Sequence, residues 1–154
     1  MRKIRSWEYR RLAGESGAEY LVRMLVLDTQ LLAADANLLI RHYYPPGTTA
    51  ETPLAEIAAD DLAEDFNTRL EQAEWNVDAK RLISADALAK IHSVDKRLGE
   101  MSGPQDPELW TDAGLRSRAE WNEVRHLAKA ALEAMDYELD SPPPWSGRVI
   151  SYRS

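Results

Sequence analysis

The chain has 154 residues, 44% of them hydrophobic, enough for one domain with a buried core and too apolar for a disordered chain. Twenty-six acidic residues against 19 basic ones give a formal charge of -7, so the molecule as a whole repels nucleic acid and anionic lipid. Cysteine is absent, which excludes disulfides, thiolate metal sites and cysteine nucleophiles.

The chain opens on a basic segment, 1–16, in which Arg2, Lys3, Arg5, Arg10 and Arg11 face Glu8 before Gly14. No apolar stretch there precedes a small-residue cleavage site, so no signal peptide is expected and a cytoplasmic location is. Ser6 to Leu12 reads as a short helix stopped at Gly14, and Gly17 marks the entry to a long helix, about Ala18 to Tyr43. Pro45-Pro46-Gly47 forbids its continuation. The stretch Ala18 to Ile40 is the candidate membrane span, but Arg23, Asp28 and Asp35 are each costly at a bilayer centre, so the expectation is a buried helix and no membrane.

Within this helix Asp28, Asp35 and His42 recur every seven residues, about two turns, and so fall on one line. That line runs inside the apolar sector, between Leu31 and Leu38 on one side and Leu32 and Leu39 on the other, while Arg23, Gln30, Asn37 and Arg41 form a narrow polar edge. A helix so nearly apolar all round is central in its fold or buried in an oligomer interface, and self-association through it is the expectation.

Thr52-Pro53 starts a second helix, whose apolar residues Leu62, Phe66, Leu70, Ala73 and Val77 define one face. If the two helices form a hairpin about the Pro45 turn, Asp28 lies across from Arg69. Asp28, Asp35, His42 and Arg69 are therefore expected to form a buried polar cluster that fixes register and carries no catalytic role. Ser84 can cap a third helix running to Met101, or the second helix can run straight through; Ser102-Gly103-Pro104 ends either one. Asp106-Pro107-Glu108 has the form of a cap and first turn for a short segment holding Trp110. Ser117-Arg118-Ala119-Glu120 has the pattern of a capping box, opening a helix with Trp121, Val124, Ala128, Ala131, Leu132, Met135 and Leu139 on one face. Ser141-Pro142-Pro143-Pro144 ends it, and the tail from Trp145 to Ser154 is extended. The pattern predicts a single all-α domain, 1–154: an antiparallel helical bundle of three to four long helices over 18–140, with short accessory helices and a Pro-rich extended tail, 141–154.

Charge is segregated along the chain. Nine acids (Glu51, Glu56, Asp60, Asp61, Glu64, Asp65, Glu71, Glu74 and Asp78) face only Arg69 between Glu51 and Asp78, whereas the two ends are basic. Such blocks suit complementary docking on the same chain, a second copy or another protein. The basic, aromatic start RKIRSWEYRR is too short to outweigh the acidic remainder, so docking onto protein is expected rather than nucleic acid or membrane. Trp121 reads as core; Trp7, Trp110 and Trp145 fall in connecting or terminal segments and read as anchors, with Trp145 also placed to meet a partner.

An enzymatic alternative rests on Glu71-x-x-Glu74 with Asp78, or Asp60-Asp61-x-x-Glu64, as carboxylates of a divalent-metal-dependent, all-helical phosphohydrolase. Such a site needs a second acidic cluster from another helix, and the spacing of Asp86 and Asp95 does not supply one. Glu123-x-x-His126 is the one match to a di-iron ligand pair and lies on the polar side of its helix, and His126 and His92 read as solvated. No glycine-rich phosphate loop or nucleophile arrangement occurs. The expectation is a protein-interaction or assembly module, with a protein partner or a second copy bound and no cofactor or metal.

Overall fold

The computed structural model describes residues 11–36, 39, 57–102 and 106–136, with the backbone alone at 57 and 58. Among these there are α-helices and one 3-10 turn, and no strand. In chain order they are α1 (Gly17–Ala33), α2 (Ile57–Trp75), α3 (Val77–Arg81), α4 (Ala85–Met101), the 3-10 turn Pro107–Trp110, α5 (Asp112–Ser117) and α6 (Ala119–Ala134). No described helix is long and apolar enough to cross a membrane. Residues 1–10, 37–38, 40–56, 103–105 and 137–154 lie outside the described set, and with them most of the expected Ser6–Leu12 helix, the Thr52-Pro53 start and the tail.

Helix α1 is the centre of the fold. Every residue from Val22 to Ala33 is buried, and the helix packs against α2, α3 and α6. Its entry is set by Ser16, whose hydroxyl accepts the Glu19 N–H at 3.0 Å while the Glu19 carboxylate accepts the Ser16 N–H at 3.0 Å, a reciprocal capping box. Just upstream Gly14 takes φ +77°, a turn geometry that side-chain-bearing residues rarely adopt. The helix stops sooner than its composition predicts. At Ala34 the backbone turns extended, ψ 156°, and the Asp35 carbonyl accepts the Leu39 N–H at 3.0 Å as the start of a fresh turn. The single helix to Tyr43 expected from the sequence is therefore interrupted.

Helix α2 meets α1 through Leu62, Phe66, Leu70 and Ala73, all buried. It does not continue into α4. Asn76 breaks it by accepting the Ala79 N–H at 2.9 Å as the cap of the one-turn α3, and Ser84 caps α4 by accepting the Ala87 N–H. The break costs the apolar face its phase, so Val77, expected in line with Leu70 and Ala73, is 65% exposed. Helix α4 runs antiparallel to α2: Asn67 reaches Asp95 at 3.3 Å, while Glu74, further along α2, meets His92, earlier on α4. Ile91, Val94 and Leu98 of α4 lie in the same core as Trp121, Val124, Ala128, Ala131 and Leu132 of α6. Fully buried alanines on α2, α4 and α6 (Ala59, Ala73, Ala87, Ala128, Ala131) keep the layers close.

The connection from α4 to α6 is pinned by its aromatic and charged residues. Trp110 and Trp121 meet edge to face with ring centroids 5.4 Å apart, and their indole N–H groups donate to the carbonyls of Met101 and Leu109. The expected Ser117 capping box is not formed. Ser117 is the last residue of α5 and donates to the Ala113 carbonyl at 2.8 Å, Arg118 takes the cap position, and Glu120 pairs with Arg118 at 2.9 Å. Arg118 also grips Asp106 at 2.6 Å, holding that carboxyl below the usual carboxylate range. Gly114 packs so tightly against this corner that a Cβ there would collide with the Glu108 carbonyl oxygen and lie 3.0 Å from that of Leu109. Because both obstacles are backbone, Gly114→Ala is expected to destabilise the protein by about 1–3 kcal/mol, with no change in helix content, in denaturant unfolding followed by circular dichroism.

Candidate functional site

Two features of the structure bear on function: a buried polar cluster between α1 and α2, and an exposed apolar corner at α3. The cluster is built from α1, where Asp28 is buried, and from α2, where Asp65 and Arg69 stand one turn apart along one edge of the apolar face. Arg69 Nε stands 3.5 Å from Asp28 Oδ2, an ion pair too long to be a strong hydrogen bond. Burial pushes the Asp28 carboxyl up to about 7, Arg69 opposes this, and the neighbouring charge of Asp65 adds to it. Asp61 is more deeply buried than Asp28 and is engaged within the protein.

Asp35, also expected in this cluster, does not join it. Asp35 lies beyond the interruption at Ala34, which breaks the seven-residue phase, and its side chain is exposed. It lies in the field of Arg125 of α6, whose guanidinium burial holds below its ordinary value while Asp35 acts in the opposite sense. His42 lies outside the described residues. Arg23 and Gln30, expected on the narrow polar edge of the helix, are both buried. Arg23 is compensated by Glu15, which it holds with two hydrogen bonds of 2.7 and 3.1 Å and whose pKa it lowers, and it stacks 5.6 Å from the Tyr20 ring centroid. The polar contribution of Glu15 and Asp61 escapes sequence reasoning because one precedes the helix and the other sits beside an equally plausible exposed acid, Asp60.

The carboxylates of the acidic helix are dispersed. Glu71 is exposed on α2, Glu74 pairs with His92 at 2.8 Å, and Asp78 belongs to α3, where it approaches Arg81 at 4.0 Å. His126 is exposed, and Glu123 pairs with Arg97 at 2.8 Å. No three His, Asp or Glu side chains among the described residues are grouped to hold a metal. Asp60, Glu64, Ala63, Ser102 and Trp110 line an open groove of about 330 Å³, in which neither acid is free.

The second feature is a corner where α2 gives way to α3 and then to α4. Trp75 is 85% exposed, Val77 65% and Leu82 51%, all within eight residues of chain. A tryptophan this exposed is unusual in a domain that buries Trp121 and Phe66 completely. Val77 follows the capping Asn76, whose break in the helix turns its side chain out of the core, while Trp75, the last residue of α2, stands about two and a half turns past Phe66 and so on the face opposite the buried one.

The buried acid makes stability depend on pH. Asp28 has a folded pKa above the unfolded value of 3.8, so the folded state holds its proton more tightly, and the stability this confers is lost as pH rises from about 4 through about 7. The displacement from 3.8 to about 7 sets an upper limit of about 4 kcal/mol. In Asp28→Asn this dependence should disappear, and its unfolding free energy relative to the parent should rise between pH 4 and pH 8; parallel pH profiles for the two proteins would contradict a buried, burial-shifted carboxyl. Arg69→Met should destabilise more at pH 8 than at pH 5, because at the higher pH it leaves an uncompensated charge. Comparison with protein-family models, with curated proteins and with solved structures gives no match, so function is read from this geometry alone.

Proposed function

We propose that this protein is a non-catalytic interaction or assembly module, an antiparallel helical bundle that binds another protein chain through its surface. The observation that carries the reading is the exposed Trp75, with Val77 and Leu82 beside it. Large aromatic side chains left in solvent forgo about 1.5–3 kcal/mol of burial each, and such residues are the usual anchors of protein interfaces. Segregated charge supports the same reading, since the sequence sets acids along α2 and bases near the two ends of the chain, charges of complementary sign.

The surface that associates is not α1. That helix was the expected seam from its composition, but α2, α3 and α6 of the same chain cover it, so its apolar sector is spent within the fold. Nothing observed favours the phosphohydrolase alternative on Glu71, Glu74 and Asp78, because Glu74 is held by His92 and Asp78 stands on a separate helix.

Native mass spectrometry of the purified chain tests this reading. A metal-free oligomer is the expected spectrum. A monomer that retains a divalent metal or a small molecule would overturn it and direct attention back to the carboxylates of α2.

A further inference from the structure

Building on the reading of the protein as an assembly module, we infer that the α3 corner is a self-complementary interface and that its occupant is the same corner of a second copy of the chain. The apolar part of the surface is Trp75, Val77 and Leu82. Set among them on α3 are charges of both signs: Asp78 with an 81% exposed side chain, Arg81 with 77%, and the exposed Lys80.

This mixture of signs selects the occupant. The chain carries a net charge of -7 and every charged residue of α2 except Arg69 is acidic, so two copies repel over much of their surface. At α3 a copy meets positive as well as negative charge. A strongly basic partner would meet Lys80 and Arg81, and a strongly acidic one would meet Asp78 and Glu71. A second copy turned about a twofold axis meets neither penalty, because residue i of one copy lies against residue j of the other and j against i. Asp78 of each copy then faces Arg81 of the other, and Trp75 of each copy covers Val77 and Leu82 of the other.

The ion pair within one chain is no obstacle. Asp78 and Arg81 are 4.0 Å apart and open to solvent, a contact of little worth that re-pairs across an interface at small cost. Fixed neighbours hold the corner in place: Asn76 caps α3, Ala79 is fully buried beneath it, and α3 packs on α1. So small a surface predicts a weak dimer, with Trp75 as its anchor.

Sedimentation equilibrium of the full chain over a wide concentration range tests the inference, with unchanged circular dichroism as the check that each variant is folded. The parent is expected to dimerise reversibly. Trp75→Ser should weaken the dimer about tenfold or more, and Arg81→Asp, which sets like charges against each other, should weaken it as well. Combining Asp78→Arg with Arg81→Asp restores opposite charges across the axis and should recover affinity to within about threefold of the parent. A parent dimer indifferent to Trp75→Ser and Arg81→Asp overturns the α3 assignment while assembly itself stands. Failure of the double exchange to recover affinity overturns the twofold arrangement. A parent that is monomeric at every concentration overturns the second copy as occupant, leaves the corner to a partner of different sequence, and removes self-association from the assembly reading too.

Discussion

The structure depends on the complete burial of one helix. Once α1 is enclosed by α2, α3 and α6, each polar group it carries has to be answered within the protein, since an unanswered buried charge costs several kcal/mol. Arg23 is answered by Glu15 from the turn before the helix. Thr29 returns its hydroxyl to the Leu25 carbonyl at 2.7 Å within its own helix. Asp28 is answered by Arg69 of α2, which fixes how α2 slides along α1.

Asp28 is the least settled of these groups. Burial pushes its carboxyl up to about 7, the like charge of Asp65 adds to this, and its partner Arg69 at 3.5 Å opposes it. A buried pair of this kind contributes little net stability, and its value is in excluding registers that would bury the aspartate against leucine. Arg69 lies about one and a half turns before the end of α2, and the α3 turn that follows also packs against α1.

The breaks between helices matter as much as the helices. Side-chain caps from Ser16, Asn76 and Ser84 each claim a backbone N–H that the preceding residues cannot satisfy, and each fixes where a new helical phase begins. The change of phase at Asn76 turns Val77 from the core to solvent, and the extended backbone at Ala34 turns Asp35 outward. In each place a run of apolar or seven-residue periodicity continues in the sequence across a point where the backbone does not.

Helical class, the apolar faces of α2 as far as Ala73 and of α6, and the core position of Trp121 were legible in the sequence, because each follows from a spacing of three or four residues within one unbroken helix, whereas the facing of Asp28 and Arg69 needed the further premise of a hairpin between two helices. What could not be read were the points where local signals compete. Ser16-x-x-Glu19 and Ser117-x-x-Glu120 are the same motif, yet only the first forms a capping box, since Ser117 is already committed as the last residue of α5. Likewise nothing local distinguishes Asp61, buried, from Asp60, exposed. Periodicity along one helix determined which residues share a face; only tertiary packing decided which faces were covered, because coverage depends on helices distant in sequence and on where each one ends.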